Sequence, residues 1–554
     1  MIGAKILVEC LKKQGVDIIF GFPGGAVLPI YDELYKEKDI THILTAHEQG
    51  ATHAADGYAR STGKIGVVIA TSGPGATNTV TGIATAYMDS VPLIIFTGQV
   101  PTSLLGKSSF QEVNITDITK SITKKNYIVK DAKQLPFIIS EAFSIAKSGK
   151  PGPVLIDLPK DIQIQDAYYD ASMHTEYHSN SKEFIPNILE NTLKAAAKAI
   201  NNSKKPVIYA GGGVNISGAN EELLKFSEKI KAPVTLSLMG MGAFPGNNKN
   251  YMGMVGMHGS KYSNYAVSES DLLIAIGARF SDRVISKVES FAPNAKIIHI
   301  DIDPMEFGKN IGVDYALLGD VKKVLNDLNN LIDEKEENGW NAQIEKWKNE
   351  FPLKLDKVGD LSPKSILETL YNLTNGDCII STEVGQNQIW AAQFFKYINP
   401  RTFVSSGGLG TMGFGLGASI GAKLGNPHKK VINIAGDGSF KMNSTELATI
   451  SRYNIPIIQI VFNNHALGMV RQWQDMFYDK RYSSTTLYDD VDFVKLAYAY
   501  GISAYKITKD EEIEDILKLA LNEKGPVLIE CVIDNNEKVF PIVPPGAAIS
   551  KCIE

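Results

Sequence analysis

Short uninterrupted apolar runs recur along the chain, among them GVVIA (66–70), PLIIF (92–96), PVIYA (206–210), LLIAI (272–276), VINIA (431–435) and IPIIQIVF (455–462). A strand apolar on both sides must be covered on both, which calls for parallel sheets flanked by helices. Helical stretches lie between the runs, so the fold class is α/β, and the runs fall into three blocks. The first has strands at 17–22, 42–46, 65–71, 92–97 and 154–158, with helices at 50–62 and 77–89. The second has strands at 206–210, 234–236, 272–276 and 296–301, and fades into a charged helical segment, 321–351, whose Lys/Glu/Asn-rich end reads as a solvated face. The third has strands at 378–382, 402–405, 430–435, 456–462 and 526–532. Three doubly wound parallel-sheet domains are expected, at 1–165, 185–345 and 360–554, with the polar, aromatic-rich stretch 163–184 as a linker. The 554 residues accommodate them, at roughly 100 to 200 residues per domain.

The net charge of −5, from 56 basic and 61 acidic residues, lacks the basic surplus that nucleic-acid binding draws on. The four cysteines, Cys10, Cys378, Cys531 and Cys552, are scattered and form no zinc or dithiol spacing. No apolar run approaches the roughly 18 residues of a membrane span. Residues 1–15 read as a folded amphipathic helix with no cleavable leader. The expectation is a cytoplasmic protein that binds neither membrane nor nucleic acid.

In the third block the strand VINIA runs into Gly436-Asp437-Gly438. Ligands of open parallel sheets sit beyond the carboxyl ends of strands, where Asp437 would project. The next helix is expected to open at Asn443, with Glu446 completing a capping box. The following apolar run ends in Asn463-Asn464, so Asp437 and Asn464 can share one hard divalent cation that keeps positions for phosphate oxygens and water. Flanking glycines allow close backbone approach to a diphosphate. Asp-Gly alone is also a common turn dipeptide; the order strand, GDG, helix, strand, Asn-Asn is what favours the metal site.

This order resembles the thiamine-diphosphate-dependent enzymes. The resemblance implies Mg²⁺ held by Asp437, Asn464 and the backbone carbonyl of Ala466, and a glutamate, matched by Glu48 in TAHEQGA, hydrogen-bonded to the pyrimidine ring of thiamine diphosphate. That contact makes the aminopyrimidine a competent base. An exposed carboxylate in the first turn of a helix is the plain alternative for Glu48. Beyond single motifs, GFPGGAVLPIYDELY, AHEQGATHAADGYAR, TSGPGATN, SSFQE, PGPVLIDLPKDIQ, GMHGS, GARFSDRV, IIHIDIDP, EVGQNQIWAAQ, GGLGTMGFGLGA and NNHALGMVRQWQ resemble the catalytic subunits of acetohydroxyacid (acetolactate) synthases.

That resemblance implies a thiamine diphosphate cradle of Val384, Gly385, Gln386, Asn387, Gly410, Met412, Gly436, Asp437, Gly438, Ser439, Asn464, Gly468 and Met469. Asn387 departs from the His common at its position. Met412 would wedge the cofactor into a bent shape, although a core-filling Met is the commoner role elsewhere. Gly24 and Gly25 would border the reaction centre, or simply form a tight turn. Phe110, Gln111, Lys160, Met469, Val470 and Trp473 would line the substrate path, Trp473 favouring 2-ketobutyrate as second substrate. In the second block, Gly211-Gly212-Gly213 lacks the spaced G-x-G-x-x-G and is weak alone. With Gly256, Met257, His258, Gly277, Arg279, Arg283, Asp301, Ile302 and Asp320 it resembles the FAD site of these synthases, where FAD is structural.

The implied reaction decarboxylates pyruvate and transfers the two-carbon unit to a second 2-keto acid. Products are 2-acetolactate or 2-aceto-2-hydroxybutyrate, within valine, leucine and isoleucine biosynthesis. The implied assembly is a homodimer or homotetramer with the site shared between chains, and such enzymes often bind a separate regulatory subunit. A pyruvate oxidase in which FAD accepts electrons is the rival reading. A catalytically idle nucleotide-binding scaffold is another, opposed by the joint presence of Glu48, Asp437, Asn464 and Met412.

Overall fold

The computed structural model describes residues 1–170, 187–488 and 491–554, and the expected linker lies largely outside them. It contains three six-stranded parallel sheets, matching the α/β expectation. The first holds β1 (Ile18–Phe22), β2 (Thr41–Leu44), β3 (Gly66–Ala70), β4 (Leu93–Gln99), β5 (Lys125–Ile128) and β6 (Val154–Pro159) in the order β2-β1-β3-β4-β6-β5. The second holds β7 (Pro206–Ala210), β8 (Val234–Leu236), β9 (Tyr251–Met254), β10 (Leu272–Ile276), β11 (Lys296–Asp301) and β12 (Tyr315–Leu318) in the order β12-β11-β10-β7-β8-β9. The third holds β13 (Cys378–Thr382), β14 (Phe403–Val404), β15 (Lys430–Gly436), β16 (Ile457–Asn463), β17 (Ser503–Ile507) and β18 (Val527–Val532) in the order β14-β13-β15-β16-β18-β17.

Each sheet has a switch point in its strand order, between β1 and β3, between β7 and β10, and between β13 and β15. A crevice opens there at the carboxyl ends of the strands. The central strands β3, β4, β7, β10, β13 and β16 are buried along their whole length, which accounts for their predominantly apolar composition. The four strands absent from the sequence reading, β5, β9, β12 and β17, all lie at sheet edges. Their segments KNYI, YMGM, YALL and SAYKI are short and partly exposed.

The first and third sheets are joined through two helices, Glu48–Thr62 and Gly415–Gly425. Their contact is lined by small residues: a Cβ on Gly57 would sit 2.0 Å from the Ala418 carbonyl oxygen, and one on Gly421 1.7 Å from that of Ala54. Only glycine allows backbones this close. The segment 321–351 forms two helices, Val321–Leu331 and Gly339–Glu350. The second buries the stripe Trp340, Ile344 and Trp347 against the middle sheet and turns its Lys and Glu residues outward.

The expected capping box at Asn443 is not formed. The helix after β15 starts at Asp437 itself and Asn443 is its last residue, donating its amide to the Gly413 carbonyl at 2.6 Å. Glu446 instead reaches the N-terminal domain, accepting from the Ala46 and His47 amides at 3.2 and 3.0 Å. A buried carboxylate satisfies backbone donors across the domain boundary more readily than an exposed cap would.

Candidate active site

The third sheet's switch point opens into a cleft of about 500 Å³, counting space open to solvent. Val384, Gly385, Gln386 and Asn387 reach it from the end of β13, and Gly436, Asp437, Gly438 and Ser439 from the end of β15. Asn464 and Ala466 follow β16, Gly468 and Met469 open the next helix, and Met412 comes from the loop after β14. Gly410 stands in that same loop at φ +69°, outside the lining.

Asp437 is 2 % exposed, and burial pushes its carboxyl up to about 6. A cation beside it would reverse that shift. His465, between Asn464 and Ala466, has φ +53°, a left-handed conformation rare for a non-glycine residue and characteristic of functional loops. It is held by the Leu487 amide, which donates to the His465 carbonyl at 2.8 Å, and by the Ala466 amide, which donates to Asn464 Oδ1 at 3.1 Å. Among the described residues no group of three or more His, Cys, Asp or Glu could hold a metal ion. One carboxylate, one amide and one carbonyl suit a hard cation completed by phosphate oxygens. A Cβ on Gly468 would lie 2.0 Å from Gln386 Oε1, so any larger residue there would displace the Gln386 and Asn464 side chains.

Two residues were missed from sequence. Glu383, fully buried at the end of the CIISTE run, accepts from the Gly413 and Leu416 amides and the Ser439 hydroxyl at 2.7, 3.1 and 2.8 Å. It fixes the loop that presents Met412, and burial pushes its carboxyl up to about 7. Trp390 lines the cleft while its buried Nε1 has no acceptor among the described residues. In sequence both look like core-facing neighbours; a glutamate ending an apolar run was the available signal for the first.

At the first sheet's switch point, Glu48 is 8 % exposed and opens its helix. Its Oε2 accepts from Asn78 Nδ2 at 3.0 Å, and a Cβ on Gly75 would lie 3.2 Å from its Oε1. The buried carboxylate therefore departs from the exposed first-turn alternative. A Cβ on Gly24 would lie 2.5 Å from the Thr71 side chain, whereas one on Gly25 meets nothing within 4 Å. Gln111, at φ +59°, packs on Gly73, and Phe110 beside it is 89 % exposed. Lys160 begins the helix after β6. Trp473 lies on the helix Gly468–Phe477 with its ring centroid 5.3 Å from that of Phe477, and Val470 of that helix borders the cleft. No N-terminal residue, Glu48 included, lines the cleft that holds Asp437.

In the middle domain, Gly211 and Gly213 donate their amides to the Ile276 and Gly277 carbonyls, each at 2.9 Å. A Cβ on Gly213 would lie 2.7 Å from the Gly277 Cα, so glycines bring the loops after β7 and β10 together at the switch point. Gly212 stands between them. Gly256, at φ +105°, packs on the Arg283 carbonyl, which accepts from the Met257 amide at 2.8 Å. Arg279 is half-buried, its carbonyl accepting from the Tyr209 hydroxyl at 3.1 Å. Asp301 and the exposed Ile302 end β11, while Asp320 caps the helix Val321–Leu331 through the Lys323 amide. His258 is held by the Gln393 amide and the Pro541 carbonyl, and burial pushes its pKa down to about 4. A glycine cradle at a switch point with two arginines nearby fits a dinucleotide.

Profiles described as thiamine pyrophosphate enzyme N-terminal TPP binding domain, central domain and C-terminal TPP binding domain match residues 1–118, 193–328 and 383–531. A probable acetolactate synthase large subunit of Methanocaldococcus jannaschii is 49 % identical over 570 residues, covering 100 % of this chain and 95 % of the relative. The acetolactate synthase large subunit of Buchnera aphidicola subsp. Schizaphis graminum is 44 % identical, covering 99 % and 98 %. That of Haemophilus influenzae is 42 % identical, covering 100 % and 98 %. The chain therefore belongs to the acetolactate synthase large-subunit family of thiamine pyrophosphate enzymes.

Proposed function

We propose that the protein is the catalytic subunit of an acetolactate synthase that uses thiamine diphosphate, Mg²⁺ and FAD and joins pyruvate to a second 2-keto acid. The observation that carries this is the cleft in which Asp437, Asn464 and Ala466 meet a glycine cradle, in a chain related end to end to named acetolactate synthases. When bound, thiamine diphosphate supplies the electron sink for decarboxylation. Asp437, Asn464 and the Ala466 carbonyl would hold Mg²⁺, and the backbones of Gly385, Gly436 and Gly438 would approach the diphosphate. Met412 presses from the loop fixed by Glu383. Glu48 would hold a hydrogen bond at the pyrimidine nitrogen and tune proton transfer there. Gln111, Lys160 and Trp473 orient the second keto acid ahead of water. The glycines of the middle domain would hold FAD in a structural role.

Because the N-terminal surface that carries Glu48 does not line the cleft that holds Asp437 within one chain, two copies would complete each site, as a homodimer or a dimer of dimers. Exposed Phe110 and Val470 beside these surfaces support that pairing. The relatives' name, large subunit, supports a separate regulatory partner. We further take the domains to be 1–165, 185–345 and 360–554, and the location to be cytoplasmic, consistent with free cysteines and with no described helix long and apolar enough to cross a membrane.

The test supplies pyruvate and 2-ketobutyrate with and without thiamine diphosphate, Mg²⁺ and FAD, and identifies the acids formed. Acetaldehyde as the main product would overturn the reading, and flavin bleaching at the turnover rate would favour an oxidase. A fully active monomer in sedimentation would remove the shared site.

A further inference from the structure

Behind the cleft, four groups form a chain of amide hydrogen bonds with a defined direction. Gln472, 2 % exposed, accepts the Val539 amide proton on Oε1 at 2.8 Å and donates Nε2 to the Val539 carbonyl at 2.9 Å. This two-point contact with one backbone residue leaves the Gln472 amide a single orientation. Gln386 then donates Nε2 to Gln472 Oε1 at 3.0 Å and to the Glu537 carbonyl at 2.8 Å, so its own orientation is set as well. Its Oε1 consequently faces Asn464, whose Nδ2 lies 3.4 Å away. Asn464 Oδ1 is thereby left on the side where it meets the Ala466 amide and the cleft.

An Asn side chain can serve a cation only through its oxygen, and the two ends of the amide are nearly equal in shape. We propose that Gln472 is a positioning residue for the metal site, passing the direction of the Val539 backbone through Gln386 so that Asn464 turns its oxygen to the cation. The inference rests on the reading of Asp437 and Asn464 as ligands. Groups that orient ligands in this way are worth about 10- to 100-fold in metal affinity.

The experiment titrates Mn²⁺ into the full-length, metal-free protein at saturating thiamine diphosphate and follows free Mn²⁺ by electron paramagnetic resonance, with thermal midpoint and flavin content as controls. Gln472→Met removes every polar contact at similar volume and is expected to weaken Mn²⁺ binding about 10- to 100-fold. Gln472→Asn, too short to reach both partners, gives the same loss and serves where Met is not tolerated. Gln472→Glu, held as a neutral acid in this buried position, still accepts from Val539 and Gln386 and donates to the Val539 carbonyl, and so keeps near-normal affinity. Normal binding by the Met variant, or equal loss in the Met and Glu variants, overturns the inference. Asp437→Ala separates the underlying reading: unchanged Mn²⁺ binding there removes the metal site itself, whatever Gln472 does.

Discussion

Glu446 of the C-terminal domain accepts the His47 amide proton at 3.0 Å, one residue before Glu48 begins its helix. The same carboxylate takes the Ala46 amide at 3.2 Å and the Thr449 hydroxyl at 2.6 Å. It sits at the positive end of the helix dipole and ties the position of Glu48 to the third sheet. Burial nevertheless raises its pKa, so its backbone partners are what hold it. Glu446→Ala strands these donors and is expected to cost about 2 to 4 kcal/mol. Denaturant unfolding measures this; a change within about 0.5 kcal/mol, the range of an ordinary surface substitution, would show that the contact is dispensable.

The contact between the helices Glu48–Thr62 and Gly415–Gly425 makes a second prediction. Gly421→Ala gains about 1 kcal/mol of helix propensity but drives a methyl into the Ala54 carbonyl, a rigid backbone atom. Overpacking of this kind costs about 1 to 3 kcal/mol or more, so net destabilisation is expected. Gly425→Ala, which meets the Thr62 side chain at 2.5 Å, should cost less because that side chain can turn. A reversed ranking in thermal midpoints counts against this packing.

Asp157, 1 % exposed in β6, accepts from the Thr97 hydroxyl at 2.7 Å and the Gln99 amide at 2.9 Å. Burial pushes its carboxyl up from 3.8 to about 7. A raised folded pKa means that its contribution to stability is fully present below pH 3.8 and is lost as pH rises to about 7. That displacement corresponds to at most about 4 kcal/mol. Asp157→Asn should flatten this fall, seen as thermal midpoints that vary less between pH 4 and pH 8 than those of the unsubstituted protein.

Trp473→Leu should lower the preference for 2-ketobutyrate over pyruvate as second substrate by about 10- to 200-fold, the discrimination that one methylene can command in an apolar contact. Competition between the two acids, read as the ratio of acetohydroxy acids, gives the value. An unchanged ratio would place the determinant elsewhere.

Glu48→Gln should reduce kcat by about 100- to 10,000-fold, the usual worth of a proton-transfer contact. Thiamine diphosphate affinity should change far less, since the diphosphate and metal are held from the other domain. Equal losses in kcat and cofactor affinity would make Glu48 a binding residue only.

Central strands such as VINIA and LLIAI were legible because burial on both faces leaves a strongly apolar signature. The edge strands KNYI and SAYKI were not, because one flank meets water and polar residues are tolerated there. In the candidate site, Asp437 and Asn464 could be read from strand endings alone. Glu383, Trp390 and Gln472 could not, since their roles depend on partners between 30 and 86 positions away, or on a cleft that exists only after folding.

Local order alone determined the three parallel sheets, the glycine turns at their strand ends and the residue types able to hold a diphosphate with its cation, because hydrophobic pattern and backbone freedom act over a few neighbouring residues. The tertiary structure decided what Glu446 binds, which way the Asn464 amide points, and which residues line the cleft around Asp437. Those outcomes depend on distant segments meeting at atomic distance, and no short-range preference encodes the partner.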